Sequence, residues 1–412
     1  MKKISMIISV LLVTLFIIIL PGCGNKNTET EITLMIPEWG VPTDEMLDEF
    51  TDETGIKVNV ETVAWDDIRD KIAVAANGAK AAADVVEVDW SWVGEFYSAG
   101  WLEPLNLEKE DIEDIPSLSS FTVDGKILGV PYANDFRIGY YNTEIYAQAG
   151  LTEPNTFTEV ATQMQAIKNE GILQYPYTLP LNAGEGTTTA LIWLTYLRDD
   201  KVFNNDNTLN KENVLESLQF IDQMVKAGLI NPANITSKDI DTYRQLTSGD
   251  AAFMVGPTSF VGRVNNEGES KVIGKVKAIV PPGDTVKAKQ TMSLTEGIGV
   301  LKYSKNKEAA ETFVQWYTSR KMQARLYTEL SVLPTRNSVL LEKINSGELK
   351  NAGALQETAV LIQSPFPNGV PDFYTEMSTA ISNAVNKMAS GALTPEQAFD
   401  EMNAKITALA KK

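Results

Sequence analysis

The chain has 412 residues, with 36 Lys and Arg against 54 Asp and Glu, no histidine, and Cys23 as its one cysteine. This length predicts two or three domains. A net charge of −18 argues against nucleic-acid binding, which needs clustered cations to neutralise phosphates. The missing histidine excludes Ser-His-Asp and Cys-His catalysis, and the single cysteine excludes an internal disulfide and multi-cysteine metal sites. We expect that the protein binds no cofactor and no metal and is not an enzyme, although catalysis by carboxylate, Lys, Tyr or Ser side chains is not excluded.

The amino terminus has the features of an export signal. Two lysines precede an apolar run over residues 4–20, and a cysteine follows shortly after it. One interpretation is an uncleaved membrane anchor, because the run is nearly long enough to span a bilayer. The other is a bacterial lipoprotein signal, since Leu20-Pro21-Gly22-Cys23 resembles a lipobox. We favour the second, with residues 1–22 as signal peptide, lipid on Cys23, and residues 23–30 as a polar tether.

The next seventy residues alternate between strand and helix patterns. Alternating or continuous apolar residues predict strands over 31–37, 56–60 and 84–88, and an amphipathic helix follows each one. The third of these helices has Ser91 as its predicted capping residue. Such alternation favours a parallel sheet with right-handed crossovers, in which ligands bind beyond the carboxyl ends of the strands.

A tryptophan follows each of these three predicted strands. They are Trp39, Trp65 and Trp90, and Asp89 directly precedes the last of them. An isolated tryptophan belongs more often to a core or to its rim. Three of them at one edge of a sheet favour a ligand-binding surface instead.

The stretch 124–142 interrupts a strand pattern with polar residues. Glycines and Pro131 bend an extended apolar segment, and Asn134, Asp135 and Arg137 stand within it. Because unpaired polar groups are costly to bury, these side chains should face a cleft or pair inside the core. We interpret the stretch as a crossing between two lobes that also lines a binding site.

The remaining sequence continues the α/β pattern. The loop 199–210 is rich in Asn and Asp but lacks the glycine and acidic spacing of an EF-hand, so we favour a solvated turn over a calcium loop. Helix patterns cover 156–169, 191–197, 214–227, 243–248, 308–318, 375–389 and 395–409, and strand patterns cover 251–255, 275–280 and 297–301.

Several short motifs, taken in order, resemble those of the family 1 extracellular solute-binding proteins, the maltose-binding-protein-like receptors of ABC importers. The resemblance covers essentially the whole chain after the signal. Its pieces are the lipobox, Thr54-Gly55-Ile56-Lys57-Val58, Tyr97-Ser98-Ala99-Gly100-Trp101-Leu102, Gly129-Val130-Pro131-Tyr132, Tyr140-Tyr141-Asn142, Gly249-Asp250-Ala251-Ala252-Phe253-Met254, Gly297-Ile298-Gly299-Val300 and Leu333-Pro334-Thr335-Arg336.

The resemblance implies an α/β, two-lobe periplasmic-binding-protein-like fold of type II. Each lobe would be a mostly parallel sheet flanked by helices, and hinge crossings would join the lobes. The implied limits are residues 31–132 plus 298–332 for lobe 1, 138–292 plus 337–412 for lobe 2, and crossings near 130–140, 292–298 and 331–337.

The resemblance also implies a carbohydrate ligand, an oligosaccharide, held between the lobes. Aromatic rings would stack on sugar faces, and polar side chains would bond hydroxyl groups. An alternative role for Asp135 and Arg137 is a structural ion pair. The alternative roles for Arg336 are to cap a helix or to neutralise an acidic rim. The stacking candidates are Trp39, Trp65, Trp90 and Phe260, and the polar candidates are Asp89, Asn134, Asp135, Arg137, Glu185, Glu296 and Arg336.

Two other functions stay open. One is a binding protein for a cationic or zwitterionic solute, and the less favoured is a lipid-anchored glycosidase with two carboxylates flanking a bond. For the main hypothesis we expect an extracytoplasmic monomer, anchored to the membrane through Cys23, that delivers sugar to the membrane permease subunits of an ABC importer.

Overall fold

The computed structural model describes residues 30–199, 201–349 and 352–411. The predicted signal, tether and lipidated Cys23 therefore lie outside the described residues. In those three ranges, no helix combines the length and the apolar character that crossing a membrane requires.

Strands and helices alternate along most of the described chain. The strands are β1 Thr30–Ile36, β2 Ile56–Thr62, β3 Val85–Asp89, β4 Leu102–Glu103, β5 Thr122–Val123, β6 Lys126–Ile127, β7 Val130–Ala133, β8 Arg137–Asn142, β9 Phe253–Pro257, β10 Val276–Ile279 and β11 Glu296–Leu301. The α-helices are α1 Asp44–Thr54, α2 Trp65–Asn77, α3 Val93–Ala99, α4 Lys109–Asp114, α5 Thr143–Gln148, α6 Phe157–Asn169, α7 Glu185–Asp199, α8 Lys211–Lys226, α9 Asp239–Ser248, α10 Phe260–Arg263, α11 Lys307–Tyr317, α12 Arg320–Leu330, α13 Asn337–Asn345, α14 Ala352–Ala359, α15 Tyr374–Ala389 and α16 Pro395–Leu409.

The first sheet has the strand order β2-β1-β3-β11-β4, and β7 also pairs with β11. The first three strands pair parallel, as their alternation with helices predicts. The returning strand β11 runs antiparallel to its neighbours β3, β4 and β7. One face of this sheet is covered by an apolar cluster that includes α1, α11 and α12. This sheet and its helices form the first lobe.

The second sheet has the order β10-β8-β9, and both of its ladders are antiparallel. This corrects the expectation of a mostly parallel sheet in each lobe. The apolar pattern of a strand reports which faces are buried but not the direction of its neighbour, which the chain topology sets. Helices α7, α8, α15 and α16 pack on one another and complete the second lobe.

The chain passes between the lobes where three segments lie side by side. It leaves the first sheet after Ala133 and enters the second at Arg137. Between them, Asn134 N–H donates to Leu333 C=O at 2.9 Å, and Asp135 C=O accepts from Leu294 N–H at 2.8 Å. The backbone therefore ties the predicted crossings together, while their exact limits stay predictions.

The lobes also touch at a second place, which we call the lobe contact: residues 90–95 of the first lobe against residues 366–375. The Trp90 ring lies 5.2 Å from the Tyr374 ring and 6.1 Å from the Phe366 ring, between centroids. A Cβ atom added at Gly94 would stand 2.8 Å from the Val370 carbonyl oxygen. The backbones approach so closely there that the lobe contact needs a glycine.

Candidate functional site

Two of the predicted tryptophans lie partly exposed at the carboxyl ends of neighbouring parallel strands. Trp39 lies in a short 3₁₀ helix after β1, and Trp65 begins α2 after β2. The Trp65 ring packs against Trp92, with centroids 4.7 Å apart. The sheet edge thus offers aromatic surface, as the sequence predicts.

Asp89 is the last residue of β3 and is 5% exposed. Its carboxylate accepts hydrogen bonds from the backbone N–H of Ser91, at 2.8 Å, and from the Ser91 hydroxyl. Ser91 does not cap α3 as predicted, because its hydroxyl is engaged by Asp89 and the helix begins at Val93. Burial raises the pKa of Asp89 to about 7, although the hydrogen bonds from Ser91 lower it.

Glu296 lies directly opposite Asp89 on the antiparallel strand β11. Its carboxylate accepts from the Trp39 indole N–H at 2.6 Å and from the Tyr132 hydroxyl at 3.2 Å. Burial and then the charge of Asp89 raise the pKa of Glu296 to about 8. The two acids lie at one edge of the sheet, and both of their carboxyl groups accept hydrogen bonds from uncharged donors.

Glu185 belongs to the second lobe, where it begins α7. It accepts hydrogen bonds from the Tyr374 hydroxyl, at 2.5 Å, and from the Ser378 hydroxyl. Burial raises its pKa to about 8, and the negative charges of Asp89 and Asp239 raise it as well. An acidic side chain thus occupies the positive end of this helix, and an anionic ligand would have to displace it there.

The crossing residues form a tight polar group. Asp135 contacts the Arg137 guanidinium at 2.6 Å and accepts from the Thr258 backbone N–H at 3.0 Å. Burial is the largest influence and lowers the pKa of Arg137, but Asp135, Tyr243 and Tyr140 together outweigh it, so that the pKa is raised. Asn134 is partly exposed beside them, and its carbonyl oxygen accepts from the Thr258 hydroxyl. The structural ion-pair interpretation of Asp135 and Arg137 therefore has direct geometric support.

Carboxylates from both lobes act on one another electrostatically. Asp135 raises the pKa of both Asp89 and Glu296, and Asp89 raises that of Glu185. We call Asp89, Asp135, Glu185 and Glu296 the carboxylate cluster. Among the ion pairs of the described residues, Arg137 alone contacts a member of it. No three His, Cys, Asp or Glu in the described ranges are arranged to hold a metal ion.

Three predicted site residues have little free surface in this structure. Trp90 is 7% exposed because the lobe contact covers it. Phe260 is 1% exposed and packs on Tyr243 in a core cluster of the second lobe. Arg336 donates to Thr318 C=O and to Asp111, each at 2.7 Å. We leave Phe260 and Arg336 out of the candidate site, because Phe260 packs inside a core cluster and the Arg336 guanidinium is already bonded to Thr318 and Asp111.

The family model of the bacterial extracellular solute-binding proteins matches residues 45–357. The chain belongs to this family. A binding protein of Brucella abortus (strain 2308) is 24% identical to it over 396 residues, covering 93% of this chain and 94% of that one. The galactooligosaccharide-binding protein of Bacillus subtilis (strain 168) is 24% identical over 337 residues, covering 78% and 76%.

The fold of this solute-binding protein agrees with that of maltose-bound MalE3 from T. maritima. The TM-score is 0.81 at 20% identity, and the alignment covers 92% of this chain and 100% of that one. At this identity the likeness establishes the two-lobe fold alone, as the sequence motifs predict.

Sequence reasoning missed several donors and acids around the site. Tyr132, Tyr374 and Ser378 donate to the carboxylate cluster, and Asp239 accepts from Gly186 N–H at 2.8 Å. No local pattern marks them as donors or acceptors, because they meet their partners only across the fold, although Tyr132 stands in one of the family motifs. Glu87 was also missed, although a lone acid inside the apolar run of β3 is a visible anomaly.

Proposed function

We propose that this protein is the extracytoplasmic receptor of an ABC importer and captures a carbohydrate, an oligosaccharide, between two closing lobes. It then delivers the sugar to the permease subunits in the membrane. The observation that carries this proposal is the meeting of partly exposed tryptophan rings with carboxylates from both lobes, at the carboxyl ends of β1, β2 and β3.

Both kinds of side chain suit a sugar. Flat indole rings match the apolar faces of pyranose rings, and carboxyl groups offer acceptor oxygens for hydrogen bonds from sugar hydroxyl groups. The galactooligosaccharide-binding protein of Bacillus subtilis and maltose-bound MalE3 support a ligand of this class. The proposed ligand contacts are Trp39, Trp65, Trp90, Asp89, Asn134, Asp135, Arg137, Glu185 and Glu296.

Titration calorimetry with mono-, di- and oligosaccharides tests the proposal. We expect saturable heat with at least one oligosaccharide, and a large loss of affinity in Trp65→Ala, because that ring has exposed surface at the sheet edge. Tyr303→Ala is the matched control, since that ring is 44% exposed in the turn after β11. Absence of heat for every sugar would contradict the carbohydrate assignment.

Closure of the lobes is the second part of the proposal. A bound sugar would bridge carboxylates of both lobes and so favour the arrangement in which the lobe contact is made. Small-angle scattering should give a smaller radius of gyration with the binding sugar than without it. Identical curves in the two states would count against closure on ligand.

Lipid anchoring and the monomeric state are proposals based on the sequence. In cells, the mature protein should carry lipid on Cys23 and fractionate with membranes, and Cys23→Ala should release it or leave the signal uncleaved. An uncleaved amino terminus in the wild-type protein, seen by mass spectrometry, would favour the membrane-anchor alternative. Size-exclusion chromatography with light scattering tests the monomer.

A cationic or zwitterionic solute is the second candidate. It is favoured by the carboxylate cluster, which contains four acids and has one basic partner, Arg137. A positive ligand would favour the charged forms of these acids, and so lower their pKa values, and would also interact with the indole faces. Heat with polyamines, amino acids or peptides, and none with sugars, would select this candidate.

We propose binding without turnover. The third alternative, a glycosidase, requires two carboxyl groups that flank one glycosidic bond. Incubation of the protein with the sugar that binds, followed by chromatography, should return the sugar intact. Release of shorter sugars, lost in Glu296→Gln, would establish the enzyme instead.

A further inference from the structure

Glu87 is an acid in the core beneath the candidate site. It lies in the middle of β3, is 0% exposed, and no hydrogen bond of standard geometry reaches either of its carboxylate oxygens. No Lys or Arg pairs with it among the ion pairs of the described chain. An unpaired buried carboxylate is very costly, so the group must be neutralised.

The surroundings of Glu87 connect it to the site. It lies two residues before Asp89, so both side chains are on the same face of the strand, and Asp89 is directly opposite Glu296. The phenol groups of Tyr132, on β7, and Tyr317, on α11, are the other titratable groups that face it. These neighbours supply negative or neutral groups and no cation.

A proton is the available means of neutralising Glu87. Burial raises its pKa well above the usual value, the charges of Glu296 and Asp89 raise it further, and the neighbouring Tyr132 hydroxyl lowers it. The same Tyr132 hydroxyl donates to Glu296 at 3.2 Å. Because a tyrosine hydroxyl has one hydrogen, it can satisfy only one of two carboxylates.

We propose that Glu87 is a positioning residue that keeps its proton at neutral pH, donates it to the Tyr132 hydroxyl oxygen, and so directs the Tyr132 hydrogen to Glu296. The inference rests on the proposed function in one respect, namely that Glu296 contacts the solute. One carboxylate oxygen of Glu296 then receives two fixed donors, Trp39 and Tyr132, and the other oxygen is left to accept from the solute.

The first test is the pH dependence of folding in the absence of any sugar. The folded state holds a proton on Glu87 that the unfolded state releases above its ordinary pKa of 4.5. Stability is therefore greatest below that value and falls as the pH rises. In Glu87→Gln, we expect the fall between pH 5 and 8 to be shallower, by up to about tenfold in the folded-to-unfolded ratio per pH unit.

Glu103→Gln is the matched control, because Glu103 lies in the same sheet but pairs with Lys307 at 2.7 Å. The hydrogen bond from Lys307 lowers the pKa of Glu103, so the acid is ionised in both states across this range. Its replacement should leave the slope between pH 5 and 8 unchanged.

The second test reads the geometry of Glu296 through the Trp39 indole. In a proton–nitrogen correlation spectrum at pH 6, the Trp39 resonance, assigned by its loss in Trp39→Phe, should stay in place in Glu87→Gln, whose amide can still donate to Tyr132. In Tyr132→Phe it should move, because Glu296 loses a donor.

A role in packing alone predicts an unchanged pH slope in Glu87→Gln, and that result would overturn the proposal. A Trp39 resonance that keeps its position in Tyr132→Phe would also overturn the proposal. If Glu87→Gln does not fold, Tyr132→Phe still decides through the resonance. No sugar is present in these experiments, so failure of the proposed function would appear separately in calorimetry.

Discussion

The two halves of the candidate site are built from different kinds of element. In the first lobe, the tryptophans and Asp89 follow the ends of parallel strands, and Glu296 begins the strand beside them. In the second lobe, Glu185 begins α7 and takes its donors, Tyr374 and Ser378, from the first turns of α15. One half offers aromatic surface on a sheet edge, and the other offers polar groups at helix starts.

This difference shows how each half is held in place. A sheet edge is fixed by ladder hydrogen bonds, so the positions of its side chains follow from the strand register. Side chains at helix starts depend on how separate helices pack. The halves meet at the crossing and at the lobe contact, and the following substitutions test these two junctions first and then each half.

The largest effect should come from the crossing. Asp135→Ala leaves Arg137, with a side chain 6% exposed, without its partner, and also removes the acceptor for Thr258. Breaking a buried pair from one side costs about 3–5 kcal/mol of unfolding free energy, because a charge stays buried and uncompensated. Urea unfolding measures the loss.

The control for the crossing is an exposed ion pair. Asp241→Ala breaks the contact of Asp241 with Arg244 at 3.5 Å, where both side chains are about half exposed. It should cost less than about 1 kcal/mol. Equal losses in Asp135→Ala and Asp241→Ala would show that the crossing pair contributes no more than a surface pair.

The lobe contact should respond next. Gly94→Ala adds a Cβ atom 2.8 Å from the Val370 carbonyl oxygen, so the two lobes cannot approach as closely. Such crowding costs about 1–3 kcal/mol, which we expect to favour open arrangements and increase the radius of gyration without ligand. In Gly353→Ala the added atom meets nothing within 4 Å, and scattering should be unchanged.

The pH dependence of stability compares the acids of the two halves. Burial raises the pKa of Asp89 from 3.8 to about 7 and that of Glu185 from 4.5 to about 8. Each folded-state pKa is above its unfolded value, so stability is full below the lower value and is lost as the pH rises through the higher one. Unfolding at pH 5, 7 and 9 should show a continuous decrease.

Asp89→Asn should flatten this decrease below pH 7, and Glu185→Gln should flatten it up to pH 8. Each substitution should reduce the fall in the folded-to-unfolded ratio by up to about tenfold per pH unit. A slope that neither substitution alters would mean that both acids are ionised in the folded protein.

The smallest effects should come from single donors, one in each half. Trp39→Phe removes the indole donor to Glu296, and Ser378→Ala removes a hydroxyl donor to Glu185. Each should cost about 1 kcal/mol of unfolding free energy. Because the donors are in different lobes, the double variant should lose the sum within about 0.5 kcal/mol. A larger deviation would indicate that the two halves are coupled without ligand.

The local structure was largely predictable from the sequence. Helix α2 follows the second strand as predicted, Thr43 caps α1, and Thr394 forms the capping box of α16. Each of these features depends on contacts within a few residues, so apolar spacing and capping residues are sufficient signals. The positions of the tryptophans at the strand ends were predictable as well. Once β1, β2 and β3 are parallel, their carboxyl ends lie at one edge of the sheet and bring these tryptophans close together.

The sequence by itself determined the α/β alternation and the aromatic edge of the first lobe, because apolar periodicity and caps are properties of the chain. Its ordered motifs added the two-lobe fold and the family, through their resemblance to known solute-binding proteins. Only the tertiary structure decided the antiparallel second sheet, the burial of Phe260, and the donors that hold Glu185 and Glu296. Those features join residues that are distant along the chain, and their energies depend on burial and on charges that no local pattern reports.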